Sequence, residues 1–264
     1  MEHVIPVGYL DLLIAFPLVL GSLLLSWQFG LGLQRDMLLG ALRTFVQLAV
    51  TGYVLLWIFA RSGAGEWYWV LLALAVMLGV AVHTAQGRMT EALAGKAWVF
   101  AVAIVVGSLI VLAYVLALVL KISPWYNARY VLPLAGMIIG NAMTAGTLAV
   151  SRFAGDLRTR RLEVETALAL GATAAQAVAP IRRDALRTAI IPSVNGMLVV
   201  GIVSLPGMMT GQILAGQDPT QAVHYQVVVM YMITAAAAFT SVIGVVAAIR
   251  QTFTAAQQLR LAEE

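Results

Sequence analysis

The sequence has few charged residues and no cysteine. Of its 264 residues, 61% are hydrophobic and only 11% are Asp, Glu, Lys or Arg, whereas roughly a quarter of a soluble globular chain is charged. The absence of cysteine excludes disulfides and thiolate metal sites. The first residues also lack the positive region of a cleavable signal peptide, so we expect the first apolar segment to be retained.

Motifs for catalysis and nucleotide binding are missing as well. No Gly-x-x-x-x-Gly-Lys-[Ser/Thr] loop is present, so the chain offers no ATPase site of that kind. Neither His-Glu-x-x-His nor Gly-x-Ser-x-Gly occurs, and the histidines His3, His83 and His224 are scattered. We therefore expect a protein that is not an enzyme and that binds no cofactor itself.

Long apolar runs dominate the sequence instead. About 20 apolar residues in a helix are needed to cross a hydrocarbon core of ~30 Å. Seven runs reach that length, namely 9–34 (containing Asp11), 37–60 (containing Arg43), 67–87, 97–120, 130–151, 188–217 and 219–249. They predict an all-α, polytopic transmembrane helix bundle of about seven spans in the cell (inner) membrane. Residues 1–264 are expected to form a single transmembrane domain.

The basic residues predict the orientation of the chain, because Lys and Arg concentrate in short cytoplasmic loops. Placing the Arg-rich segment between the fifth and sixth spans inside puts 12 of the 16 basic residues inside and three outside. The inside set includes Arg35, Arg88, Lys96, Arg250 and Arg260. This assignment predicts an N-terminus outside and a C-terminus inside.

The longest stretch outside the predicted spans is 153–189. Its Glu, Ala and Leu residues favour helix, and Gly171 can end one helix before Thr173 starts the next. We therefore expect two or three short helices on the cytoplasmic face. One interpretation is a connecting loop held to anionic lipid by its arginines. The other is a docking element for a cytoplasmic partner.

Polar residues inside the predicted spans indicate candidate positions along a transport path, because burying them in lipid is costly. Arg43, Gln47 and Thr51 follow one another at intervals of four and so share one face of the second span. Arg43 could instead extend to the headgroups, which leaves Gln47 unexplained. Asn141 and Thr144 are polar positions on the fifth span.

The sixth span contains the strongest candidate for a translocation site or gate, at residues 204–212. Pro206 and Gly207 can break the helix there, and broken helices at membrane depth line protein or a cavity. Two pairs of glycines four apart are predicted to let helices approach closely, Gly136 with Gly140 and Gly207 with Gly211.

Two methionines in this stretch, Met208 and Met209, suggest a metal contact or are simply adaptable apolar side chains. Thioether sulfur suits Cu(I) better than iron. Neutral oxygen or nitrogen ligands could come from Ser204, Thr210, Gln212, Asn141 and His224. Because Asp11 is the only acidic residue within the predicted spans, we expect any metal site to be weak, chelate-borne or shared across a dimer.

Several motifs resemble known permeases. Glu165-Thr-Ala followed by Gly171 is similar to the Glu-Ala-Ala…Gly coupling loop of ABC importer permeases. Four further motifs are Arg43-Thr-Phe-Val-Gln47-Leu, Met137-Ile-Ile-Gly-Asn141-Ala-Met-Thr144, Ile191-Pro-Ser-Val-Asn195 and Val203-Ser-Leu-Pro-Gly207-Met-Met-Thr-Gly211-Gln-Ile-Leu-Ala-Gly216, with Tyr225-Gln226 beyond. With these motifs the wider sequence resembles the FetB/YbbM family of iron-export ABC transporter permeases, related to plant aluminium-tolerance permeases.

The resemblance implies a permease homodimer that works with a separate ABC ATPase subunit, which would bind ATP-Mg, and that exports iron or another metal-related substrate. The expected ATPase-coupling residues are Glu165, Ala167, Gly171, Arg160 and Arg161. The translocation-pathway candidates are Arg43, Gln47, Asn141, Thr144, Ser204, Met208, Met209, Thr210 and Gln212. No nucleic-acid partner is expected. A secondary transporter or channel working alone and a membrane scaffold are the alternatives, and the shortage of intramembrane carboxylates argues against proton coupling.

Overall fold

The computed structural model describes residues 8–61, 66–87, 97–254 and 256–259, and these residues are almost entirely helical. Arg88, Lys96 and Arg260, which contributed to the predicted orientation, lie outside the described residues. The helices are α1 (Tyr9–Gln28), α2 (Gln34–Phe59), α3 (Glu66–Gln86), α4 (Ala97–Tyr114), α5 (Ala128–Thr159), α6 (Arg161–Ala169), α7 (Ala174–Ala177), α8 (Ala179–Val199), α9 (Gly207–Leu214) and α10 (Pro219–Thr252). A π-helical turn over Val115–Val119 extends α4. The all-α prediction is confirmed.

Six of the described helices, α1 to α5 and α10, are long and apolar enough to cross a membrane. The predicted break in the run 188–217 is present, because the chain leaves the helix after Val199 and resumes it only at Gly207. Gly201 adopts a positive φ of 84° in between, a conformation that glycine adopts without steric cost but that ends a right-handed helix.

The chain forms two compact units, Met1–Gly65 with Leu214–Gly216, and Glu66–Ile213 with Gln217–Glu264. The helices of the first unit are α1 and α2, joined by a short loop in which Gly30 and Gly32 both have positive φ. The carboxylate of Asp11 accepts a hydrogen bond from the backbone N–H of Gly8 at 2.8 Å. The one acidic residue of the first span therefore caps its own helix.

The second unit is built around α5 and α10, which pack against each other and against α4 and α8. Its main apolar core lies where α5 and α10 end and α8 begins, with Phe153 and Leu157 from α5, Ile181 from α8 and Val245 from α10 all buried. Val164 of α6 is part of the same core. The short helices after α5 are thus fixed to the end of the bundle.

This arrangement determines the path of α8 and α9. Because α8 begins at the end of the bundle where α10 finishes, the chain must travel to the opposite end before α10 can start. A 34-residue helix is about 50 Å long, so the broken pair α8–α9 covers much of the bundle's length. The fold therefore agrees with about seven crossings, one of them broken.

Candidate translocation and coupling sites

The break between α8 and α9, residues 200–206, lies well within the bundle rather than at its end. A methyl group on Gly196 would lie 3.5 Å from the terminal carbon of Met230 on α10. Met230 is 11 residues after the start of α10 (230 − 219) and 22 before its end (252 − 230). These separations correspond to about 17 Å and 33 Å of helix, so the chain enters the break within the length of α10, and the predicted helix break is confirmed.

A compact turn satisfies much of the backbone in the break. The carbonyl of Val199 accepts hydrogen bonds from the N–H groups of Val203 at 2.9 Å and Ser204 at 3.3 Å, and the N–H of Gly201 donates to the carbonyl of Ser204 at 2.9 Å. The side chains of Ile202 and Val203 are 89% and 78% exposed. The turn is therefore held by its backbone and presents apolar side chains outward.

Helix α9 carries the predicted pathway residues Met208, Met209, Thr210 and Gln212, all half-buried. The Thr210 hydroxyl donates to the carbonyl of Pro206 at 3.1 Å. The side-chain oxygen of Gln212 is buried and accepts no hydrogen bond. Leaving a buried acceptor without a donor costs about 1–3 kcal/mol. A hydrogen-bond donor that contacted the Gln212 oxygen would remove this cost.

The other pathway candidates lie on two separate helices. On α5, Asn141 and Thr144 are exposed, and each donates to a carbonyl four residues earlier, at 2.8 Å and 2.9 Å. On α2, Arg43 and Gln47 are exposed on one face of the first unit, and neither has a hydrogen-bond partner among the described residues. Their roles in a pathway stay predictions.

Sequence analysis missed a set of buried polar side chains in the second unit. Gln226 on α10 is 5% exposed and its side-chain oxygen has no partner. The hydroxyls of Ser108, Thr240 and Ser241 are likewise buried and unpaired. Gln226 lies four residues after the buried Ala222 and three before the buried Val229, so it shares their apolar face of α10. This amide on an apolar helix face could have indicated a buried polar residue from the sequence.

The α6–α7 segment, residues 161–177, forms the two short helices predicted within 153–189. Helix α6 ends at Ala169 and Gly171 follows with a φ of 91°, as expected for a residue that terminates a helix. The hydroxyl of Thr173 accepts from the N–H of Gln176 at 3.3 Å, and the Gln176 side chain accepts from the N–H of Thr173 at 2.9 Å. This reciprocal capping confirms Thr173 as the start of the next helix.

Helix α6 has a buried and an exposed face. Val164 is buried in the core and Leu168 packs against it. On the other side, Leu162 and Leu170 are 79% and 84% exposed, with Thr166 and Ala169 between them. Leu162 in the first turn of α6 and Leu170 directly after its last residue therefore present apolar side chains outward from an anchored helix.

Ion pairs flank this exposed face. Arg161 donates to Glu165 at 2.7 Å, and Arg160 donates two hydrogen bonds to one oxygen of Glu163, at 2.9 and 2.7 Å. Arg160 also lies 3.9 Å from the carboxylate of Asp184 on α8. Because such exposed pairs stabilise little, the apolar anchors rather than the charges hold α6 in place.

The hydrogen bonds from Arg160 lower the pKa of Glu163 below its ordinary value, and the same bonds raise the pKa of Arg160. A carboxyl with a lowered pKa contributes stability that is present above its ordinary pKa and is lost as the pH falls through the lowered value. The pair is therefore intact at neutral pH.

A turn after α10 contacts the α6–α7 segment. The Gln257 side chain accepts a hydrogen bond from the backbone N–H of Ala174, the first residue of α7, at 2.6 Å. Phe253 and Leu259 pair across this turn and pack against the main core. The end of α10 and the start of α7 are thus directly linked.

A chain built from these apolar helices is a multi-pass α-helical membrane protein. More particularly, it belongs to the uncharacterised protein family UPF0014, whose family model matches residues 9–253. The family resemblance found in the sequence is confirmed, and no solved structure matches the chain.

Named relatives cover most of the chain. A UPF0014 membrane protein of Synechocystis is 41% identical over 89% of this chain and 90% of its own length. The Arabidopsis thaliana protein named ALUMINUM SENSITIVE 3 is 37% identical over 93% of this chain and 88% of its own. The Escherichia coli protein named "Probable iron export permease protein FetB" is 35% identical over 94% of this chain and 93% of its own.

Proposed function

We propose that this chain is the membrane-spanning permease subunit of an ATP-driven ABC-type exporter, acting as a homodimer with a separate ATPase subunit. The observation that carries this proposal is the exposed face of α6, with Leu162 on the helix and Leu170 directly after it, while the other side of the helix is fixed in the core by Val164. Because Val164 packs among residues of α5, α8 and α10, force on α6 is passed to helices of the bundle.

The proposed ATPase contact uses Glu165, Ala167 and Gly171, with Arg160 and Arg161 beside them. Glu165 is 41% exposed and is paired with Arg161 one turn earlier. Its carboxylate can therefore reach a partner while remaining oriented on its own helix. Ala167 and Gly171 are small residues and leave space for the ATPase subunit to contact α6.

The proposed cargo is iron or another metal-related substrate, in keeping with the name of the Escherichia coli relative. Within the described ranges, no three His, Asp or Glu side chains come together to hold a metal ion. The donors near the break are hydroxyl, amide and thioether groups from Ser204, Gln212, Met208 and their neighbours. Such neutral donors fit weak, transient contacts with a cargo in transit rather than a tight resident site.

The first test is purification of the tagged permease in mild detergent from its native membrane, with measurement of the ATPase that stays bound. We expect stoichiometric ATPase with the wild type, and at least a tenfold loss in Leu162→Asp and in Glu165→Ala. Leu31→Asp is the matched control, since Leu31 is a 58% exposed leucine in the α1–α2 loop. Recovery of the permease alone, from membranes that contain such an ATPase, would contradict the proposal and favour a secondary transporter or channel.

A second test addresses the pathway. Gln212→Leu should lower iron transport in vesicles containing both subunits by about fivefold, because it removes one polar contact worth about 1 kcal/mol. ATPase binding should be unchanged. Gln217→Leu, at an exposed glutamine five residues later, should transport normally. Equal losses of transport and of ATPase binding in Gln212→Leu would assign that residue to packing instead.

A further inference from the structure

A groove lies between α1 and α2 near the loop that joins them. It has a volume of about 660 Å³, within the range of small-molecule binding sites. Its lining residues are Leu20, Leu23, Leu24, Trp27, Gln34, Arg35 and Leu38. All of them belong to the first unit, so the groove is a feature of that helical hairpin alone.

The residues that line the groove are apolar at one end and polar at the other. Leu20, Leu23 and Leu24 lie one to just over two helical turns before the end of α1 at Gln28, so the apolar part extends about 12 Å from that end. The polar side chains, Gln34 and Arg35, occupy the first turn of α2 beside the loop. The groove is therefore apolar toward the centre of the span and cationic at its boundary.

The charge at the boundary is available to a ligand. Among the described residues, no carboxylate lies within ion-pair distance of Arg35, whereas Arg152, Arg160 and Arg161 are all paired. Trp27, which is 73% exposed, lies at the same end of the groove. Tryptophan at that level is typical of the membrane–water interface.

From this arrangement we propose that the α1–α2 groove binds one phospholipid with an anionic headgroup. Its acyl chain lies along Leu20, Leu23 and Leu24, and its phosphate accepts hydrogen bonds from Arg35 and Gln34. Both hairpin helices are long and apolar enough to cross the membrane, so lipid reaches the groove from the bilayer. Basic pockets between transmembrane helices bind anionic headgroups in this manner. The site is independent of the proposed ATPase partner.

The test is native mass spectrometry of the purified permease from nanodiscs of phosphatidylcholine with one-quarter phosphatidylglycerol. We expect wild-type protein to retain phosphatidylglycerol in preference to phosphatidylcholine. Arg35→Gln should lower that retention about fivefold, the attraction expected from one basic side chain near the membrane surface. Leu24→Trp, which fills the groove, should lower retention of both lipids, and Arg35→Lys should retain the preference.

The matched control is Arg61→Gln, which removes the same charge beyond the opposite end of α2, where Arg61 lies 3.7 Å over the ring of Trp57. It should leave the retained lipid unchanged. An equal loss in Arg61→Gln would show a general effect of net charge and overturn the site. A wild type that retains the two lipids in their bulk ratio would overturn it as well.

Discussion

The side chain of Thr240 on α10 lies between two glycines on neighbouring helices. A methyl group on Gly107 of α4 would overlap the Thr240 hydroxyl, and one on Gly146 of α5 would lie 2.7 Å from its methyl carbon. Thr240 itself is fully buried. These two glycines therefore let α4, α5 and α10 approach one another, which is the usual role of small residues between membrane helices.

We predict that Gly107→Ala destabilises the protein by about 1–3 kcal/mol, the usual cost of inserting a carbon into a packed interior. Because the overlapping atoms include the backbone of Thr240 at 3.1 Å, rotation of a side chain alone cannot relieve the contact. The measurement is thermal unfolding in detergent.

Gly79→Ala is the matched control, since Gly79 is also in a predicted span and a methyl group there meets no atom of the described chain within 4 Å. An equal or larger decrease in Gly79→Ala would contradict the packing explanation.

The glycines predicted from spacing to lie at helix contacts differ from those that pack closely in the structure. The spacing-based pairs were Gly136 with Gly140 and Gly207 with Gly211, yet a methyl group at the last three would meet no atom within 4 Å of the described chain. Gly107 and Gly146 do make room for a neighbouring helix, but this can be recognised only when the facing residue, Thr240, is known. Spacing along one helix cannot identify the partner that makes a glycine necessary.

Local chemistry explains which elements the sequence predicted well. Gly171 explains where α6 ends and Thr173 explains where α7 begins, because both residues act on the backbone within one helical turn. The break after α8 was predicted from Pro206 and Gly207, but the helix already ends at Val199, seven residues before Pro206, where Val200 is extended and Gly201 takes a positive φ. Among 23 glycines, the sequence does not single out that one.

The link between α7 and the end of α10 gives a prediction about an element. In Gln257→Ala, the N–H of Ala174 loses its acceptor, so hydrogen exchange at the start of α7 should become about two- to tenfold faster, corresponding to about 0.5–1.5 kcal/mol for one hydrogen bond. Mass spectrometry of peptides covering α7 measures this change.

Gln258→Ala provides the control for that experiment, because the neighbouring Gln258 is exposed and its side chain makes no hydrogen bond in the described chain. It should leave exchange in α7 unchanged. Unaltered exchange in Gln257→Ala would show that the side chain of Gln257 does not hold α7.

At the scale of the whole molecule, the number of membrane crossings depends on whether the chain passes from one side of the membrane to the other through the broken pair α8–α9. If it crosses, as the path from the core to the start of α10 requires, the two ends of the chain lie on opposite sides of the membrane. Helix α5, with 32 residues, is about 48 Å long and exceeds the ~30 Å hydrocarbon core. The loop before α5 and the segment after it must therefore face opposite sides.

The absence of cysteine makes this arrangement directly measurable, since a single introduced thiol is the only one in the protein. We predict that Leu162→Cys is labelled by an impermeant maleimide only from the cytoplasmic side and Ser123→Cys only from outside. With seven crossings, Gly8→Cys labels with Ser123→Cys, whereas Gln258→Cys labels with Leu162→Cys. Labelling of both ends from the same side would mean that α8–α9 enters and leaves on one face, and the orientation inferred from the basic residues would then be wrong for α10 and the C-terminal end.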